Sequence, residues 1–308
     1  MQKRANWYKV FNIANTPLTI LDSYKGVNIS VKRDDLNHKI IQGNKLRKLK
    51  YNIKYAIEKK IATIATFGGA WSNHIIATAQ AAQLTGLSSI GFIRGDELAN
   101  NPSKWNTCLI QAQQCGMNLV FLNRKEYREK QNSRAVKAYL AKQGKQPYLI
   151  PEGGSNKLAI KGVAEICKEI SQQTTPVTHI VTACGTGGTM AGLINGISQL
   201  KWHTKVIGIP VLKGAQFLEN DTKALIEIEN PVKWQLYYDY HAGGYAKLDK
   251  VTSEFAKKFT HDTKIRLDKI YTAKSFYAVY DLIERNQIKA NSSVIILHTG
   301  GLQGGVVE

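Results

Sequence analysis

Short apolar runs that end in glycine alternate along this chain with segments whose apolar residues recur every three or four positions. Residues 27–31 alternate apolar and polar side chains, as a half-buried strand does, while residues 61–67 form a buried-strand run, largely apolar, bounded by Gly68-Gly69. Residues 89–93, 118–122 and 147–150 are further short strands. Between them, Leu46, Leu49, Ile53, Ala56 and Ile57 lie at helical spacing. A helix is predicted from Asn73 to Thr85, stopped by Gly86, then others over 104–115 and, more polar, over 125–142. The second half keeps the rhythm: helix to Ile170, strand 179–183, helix to Ile197, strand 205–211, a helix that follows residues 271–275 and runs to Arg285, strand 293–297. Residues 213–240 carry no legible pattern. Strands alternating with helices of this length predict βαβ units, a parallel sheet and an α/β fold.

Composition narrows the class without deciding it. A chain of 308 residues, 43% hydrophobic, is long enough for one large or two ordinary domains. No apolar run is long enough to span a bilayer, and the basic N-terminus lacks the apolar stretch of a signal peptide. Four cysteines form neither a disulfide framework nor a set with metal-ligand spacing, so no metal is expected and a reducing cytoplasm is the simplest compartment. The formal charge of +19 raises the question of nucleic acid. The cations are scattered, however, with no arm, repeat or aromatic-basic ladder. The densest group, Arg47 to Lys60, reads as the polar face of an amphipathic helix. A general attraction for anionic substrates and cofactors is the simpler account, with no specific nucleic acid among the partners.

Three stretches could carry chemistry. Gly43-Asn44 is a turn into the helix bearing Lys45 and Lys48, with Asn44 a candidate N-cap. Two cations at a helix mouth suit an anion and amine chemistry, or are simply solvated. Gly185-Thr186-Gly187-Gly188-Thr189 follows a buried strand and opens a helix, an arrangement that cradles a small phosphate on backbone amides. It lacks the glycine spacing and acidic partner of a dinucleotide site, and serves equally as a tight strand–helix turn. Ser72-Asn73-His74 opens another helix after a strand, a cradle for a carboxylate or an ordinary serine cap with a core histidine. No Gly-x-Ser-x-Gly elbow is present for a hydrolase. A lysine, a phosphate cup and a carboxylate cradle on an α/β frame are what pyridoxal phosphate chemistry on amino acids requires.

Ordered matches then carry a family resemblance. Lys32-Arg33-Asp34-Asp35-Leu36, Gly43-Asn44-Lys45-Leu46-Arg47-Lys48, Ser72-Asn73-His74, Tyr271-Thr272 and, less specifically, His298-Thr299-Gly300-Gly301 resemble the 1-aminocyclopropane-1-carboxylate deaminase and D-cysteine desulfhydrase family. The resemblance covers the chain from Lys32 to Gly301. It implies a tryptophan synthase β-like fold (fold type II) of two parallel-sheet domains, a large one from residues 1–50 and 155–308 and a small one from 51–154. It also implies pyridoxal phosphate as cofactor, a small amino acid as substrate and a homodimer. Lys45 would be the Schiff-base lysine and Lys48 a phosphate contact; Gly185, Thr186, Gly187, Gly188 and Thr189 would hold the phosphate. Asn73 would meet the ring hydroxyl, and Ser72, with Asn73 and His74, the substrate carboxylate. Tyr245 and Tyr271 would be active-site tyrosines, with Thr272 or Thr299 near the pyridine nitrogen. Thr272 stands where the cyclopropane deaminases have glutamate, which favours β-elimination of D-cysteine to pyruvate, sulfide and ammonia over ring-opening deamination. Trp71 and Ile76 stand where the family often has Gln and Arg.

Overall fold

The computed structural model describes residues 7–39, 41–144, 146–302 and 305–307. Its strands are β1 Leu18–Ile20, β2 Asn28–Lys32, β3 Thr63–Gly69, β4 Ser88–Arg94, β5 Met117–Leu122, β6 Tyr148–Leu149, β7 His179–Cys184, β8 Lys205–Pro210, β9 Trp234–Leu236 and β10 Ser293–Leu297. Its helices are α1 Trp7–Phe11, α2 Asn44–Glu58, α3 Asn73–Thr85, α4 Thr107–Gln114, α5 Arg124–Glu129, α6 Arg134–Ala141, α7 Lys157–Ser171, α8 Gly188–Gln199, α9 Phe217–Leu225, α10 Lys250–Thr263 and α11 Thr272–Glu284. Two sheets form, in the orders β1-β2-β10-β7-β8-β9 and β5-β4-β3-β6. The smaller is parallel throughout, and the larger is parallel except for the antiparallel edge strand β1. The strands are apolar on both sides because helices cover both faces. On one side of the larger sheet Val31, Val181 and Ile296 pack with Phe259 and Phe276 of α10 and α11; on the other Ile180, Val206 and Ile295 pack with Ile166 and Ile194 of α7 and α8.

Local chemistry explains where the site-bearing helices begin. Ser72 caps α3 by accepting from the His74 amide at 3.3 Å, and Gly86, left-handed at φ +71°, ends that helix. At α2 the structure corrects the sequence reading. The cap position is Gly43, at φ +67°, where a Cβ would lie 1.8 Å from the Thr299 carbonyl oxygen. Asn44 is the first helical residue, and its side-chain amide donates to the Thr189 hydroxyl rather than capping its own helix. Gly162 of α7 is equally constrained, since a Cβ there would meet the Arg47 carbonyl oxygen at 2.0 Å. Glycine is what lets α2 and α7 approach backbone to side.

Three other expectations change. Residues 125–142 are not one helix, because Lys130 takes a left-handed φ of +50° and Ser133 caps α6 afresh. Residues 213–240, illegible in sequence, contain α9 and β9, and the short edge elements α1 and β1 and the helix α10 carried no recognised signal. The Arg47–Lys60 stretch is not a polar face at its start: Arg47 and Lys48 are buried. Arg47 is paired with Asp34 at 2.8 Å and with Glu169, which also holds buried Lys32 at 2.9 Å. Burial opposes the Glu169 charge, yet hydrogen bonds from Arg47 and Lys32 hold its carboxyl below the usual glutamate range. Among the described residues, no helix is long and apolar enough to cross a membrane.

Candidate active site

The strand–glycine–helix connections converge at the carboxyl ends of β3, β4 and β7, where a cavity of about 200 Å³ opens. A smaller one of about 20 Å³, walled by Asn73 and the Thr299–Gly301 turn after β10, shares Asn44, Lys45 and Tyr271 with it. Ligands in open α/β sheets bind at such strand ends.

One corner of the larger cavity is a cluster of donors. Lys48 Nζ donates to the Gly153 carbonyl at 3.0 Å and to Ser155 Oγ at 3.1 Å, and Ser155 Oγ lies 2.7 Å from Thr186 Oγ1. Gly185, Thr186, Gly187 and Thr189 line the same corner, above the N-terminus of α8. At Gly188 a Cβ would sit 2.4 Å from Ser155 Oγ and 3.0 Å from Lys48 Nζ, so only glycine lets the loop approach the lysine. Burial drives the Lys48 amine well below the ordinary lysine value, and the neighbouring Lys45 charge adds to this. A bound dianion is the natural remedy for a buried ammonium beside a helix N-terminus.

Lys45 lies between the two cavities, its Nζ 3.1 Å from Asn44 Oδ1 and 5.9 Å from the centre of the Tyr271 ring. Burial lowers its pKa to about 8, against a smaller upward pull from Asp268. Such an amine has a usable neutral fraction near pH 7 and can act as nucleophile or base.

Ser72 and His74 line the larger cavity and Asn73 the smaller. His74 is buried, and its Nε2 lies 2.8 Å from the Thr66 hydroxyl, which itself donates to the Ile150 carbonyl at 2.9 Å. The histidine must therefore donate through Nε2, leaving Nδ1 as an acceptor. Burial and then the charges of Lys45 and Lys48 keep the ring neutral. Among the described residues, His74 Nδ1 and Asn73 Oδ1 are both buried without a hydrogen-bond partner. Tyr245 and Tyr271 meet edge to face, centroids 6.4 Å apart, at the cavity wall. Burial raises both phenols, Tyr271 far above its ordinary value, so both keep their protons.

The two threonines part company. Thr299 lines the smaller cavity, but Thr272 lines neither, because its hydroxyl is bound to Asp268 Oδ1 at 2.7 Å and to the Asp268 amide at 2.7 Å. Asp268 also accepts from the amides of Ile270, Tyr271 and Thr272, and so fixes the start of α11. Sequence reasoning missed Asp268, Ser155 and Lys274. The Gly153-Gly154-Ser155 turn before α7 was a usable signal for Ser155. Lys274 carried none: it is buried on α11 and donates to the Gly244 carbonyl at 2.8 Å, holding the turn that presents Tyr245.

Residues 10–300 match the family model described as pyridoxal-phosphate dependent enzyme. The chain is 33% identical to a putative 1-aminocyclopropane-1-carboxylate deaminase of Pyrococcus abyssi, covering 91% of this chain and 86% of the relative. It belongs to the pyridoxal-phosphate dependent enzyme family. It is also 30% identical to a D-cysteine desulfhydrase of Klebsiella pneumoniae, over 94% of this chain and 92% of the other. Among solved structures it superposes on an ACC deaminase homologue with a TM-score of 0.81 and 27% identity, over 97% of this chain and 95% of that one. The fold is thus fold type II, as the sequence resemblance implied. The residues present also suit the family's cofactor. A buried lysine, two hydroxyls and a helix N-terminus suit its phosphate, and the unpartnered Asn73 Oδ1 suits a polar ring substituent.

Proposed function

We propose that this member of the family is a D-cysteine desulfhydrase, converting D-cysteine to pyruvate, sulfide and ammonia. The observation that carries the choice is the wall of the smaller cavity, where Thr299, Asn73 and Gln42 offer neutral hydrogen-bonding groups and no carboxylate lines it among the described residues. A ring nitrogen facing a hydroxyl stays nearer neutral than one facing a carboxylate, which suits expulsion of a good leaving group. The similarity to a D-cysteine desulfhydrase along 94% of the chain supports the same reading.

In this proposal Lys48, Ser155, Thr186 and the amides at the start of α8 hold the cofactor phosphate, Lys45 anchors the cofactor covalently, and Asn73 meets the ring hydroxyl. When bound, pyridoxal phosphate supplies an electron-withdrawing ring that stabilises negative charge at the substrate α-carbon. Ser72 Oγ and the first amides of α3 orient the substrate carboxylate. The Lys45 amine, lowered to about 8, takes the proton from the α-carbon. Tyr245 and Tyr271, both protonated, are the donors available to the departing sulfur. The proposal keeps a large cofactor-binding domain (1–50 and 155–308) and a small one (51–154). What supports that division is that β3 to β6 all fall between 63 and 149, with the six strands of the other sheet on either side in sequence.

The test is a paired assay. Sulfide and pyruvate are expected from D-cysteine. Ammonia and 2-oxobutanoate from 1-aminocyclopropane-1-carboxylate, without sulfide from D-cysteine, would replace the reading by the deaminase, whose name the Pyrococcus abyssi relative carries. Visible spectra of wild type and Lys45→Ala, with borohydride trapping, test the anchor. Covalent fixation at any other lysine refutes it.

A further inference from the structure

One cation in the cavity wall is unused by this scheme. Arg94 is the last residue of β4, paired in register with Gly69 of β3. A Cβ on Gly69 would lie 3.7 Å from Arg94 Nη2, so the guanidinium lies over the connection that leads into Ser72. Arg94 is exposed and, among the described residues, its side chain forms no ion pair or hydrogen bond. Its guanidinium carbon lies 5.9 Å from the centre of the Tyr127 ring, and its charge also reaches the Tyr245 hydroxyl.

Among the described residues, the one carboxylate in the same wall is already satisfied. Glu152 Oε2 is 2.8 Å from Lys130 Nζ, and Oε1 accepts from the Tyr127 hydroxyl. Arg94, Glu152 and Lys130 together thus leave a net positive charge at this part of the wall, separate in its side chains from the hydroxyls and lysine of the Lys48 corner. A planar guanidinium free to make two parallel hydrogen bonds is suited to a carboxylate.

We propose that Arg94 is a specificity-determining residue that binds a second carboxylate, carried on the substrate's side chain beyond the β-carbon. This rests on the elimination reading above and deepens it: the preferred substrates are D-cysteine derivatives whose sulfur bears an acidic substituent, with D-cysteine the smallest member of the class. The reaction balances as before. The Cα–H and Cβ–S bonds break, the thiol leaves with the electron pair and a proton, and water releases ammonia and pyruvate.

Steady-state kinetics of wild type, Arg94→Gln and Arg94→Lys with D-cysteine and S-carboxymethyl-D-cysteine provide the test. Loss of a charged hydrogen-bond pair should lower kcat/KM for the carboxymethyl compound about tenfold or more in Arg94→Gln, through KM, and leave D-cysteine within about twofold. Arg94→Lys should recover part of the loss. Equal losses on both substrates would mean that Arg94 serves the α-carboxylate, and no loss on either would mean that it serves neither; both results overturn the proposal. A second readout needs no turnover: succinate should bind the purified holoprotein about tenfold more tightly than propionate, and lose that advantage in Arg94→Gln. If D-cysteine is not a substrate but the succinate preference holds, the desulfhydrase reading fails and the Arg94 assignment stands. If succinate shows no preference, the assignment fails whatever D-cysteine does.

Discussion

The side-chain amide of Asn44 donates to the Thr189 hydroxyl at 2.8 Å, joining the lysine helix to the glycine loop across 145 residues of sequence. The same Asn44 accepts from Lys45 Nζ through Oδ1. Lys45 and the glycine loop are thus held in register by one amide. Asn44→Ala and Thr189→Val should each weaken cofactor affinity by about 1 kcal/mol, roughly fivefold, the worth of a neutral hydrogen bond. The double variant should lose less than the sum, measured by titrating cofactor absorbance.

Lys45 should titrate near pH 8 rather than near 10.5. Only the neutral amine attacks the cofactor aldehyde, so covalent reconstitution of cofactor-free protein should accelerate with pH, reach half its maximum near 8 and then level off. The Asp268 carboxylate pulls this value upward, so Asp268→Asn should shift the midpoint to lower pH. A reconstitution rate that is still climbing steeply at about pH 10 would count against the buried amine.

Arg47 binds two buried carboxylates, Asp34 and Glu169, and Glu169 is shared with Lys32. Removing the guanidinium leaves charges buried without their partner, so Arg47→Ala should cost about 3–5 kcal/mol in urea unfolding at neutral pH. The depressed Glu169 carboxyl contributes stability that is complete above its ordinary pKa of 4.5 and lost as pH falls through its lower folded value. In Arg47→Ala that contribution shrinks, so the loss of stability as pH falls below 4.5 should be shallower than in wild type.

Lys274 supports Tyr245 from behind through the Gly244 carbonyl. Lys274→Met keeps the bulk and removes the donor, and should reduce kcat about tenfold by loosening the tyrosine turn while the cofactor spectrum stays unchanged. If Lys274 acts through Tyr245, the loss in Lys274→Met/Tyr245→Phe will be close to that of Tyr245→Phe alone. Additive losses would show an independent role.

What could be read without coordinates was local and periodic. Residues 73–85 and 293–297 coincide with α3 and β10 because capping serine, stopping glycine and an unbroken apolar run act within a few residues of themselves. The family motifs around Lys45, Ser72 and Tyr271 were legible for the same reason. Periodicity reports which face is apolar but not what covers it, and charge reports nothing of burial. Arg47 therefore passed for a solvated face until Glu169, 122 residues away, was brought against it. Lys48 found Ser155 across 107 residues, and Asp268 took the Thr272 hydroxyl away from the cavity and left Thr299 there. Sequence by itself determined the α/β rhythm and the family motifs. Only the tertiary structure decided which cations are buried with partners and which, like Arg94, face the cavity without one, because that depends on contacts between elements remote in the chain.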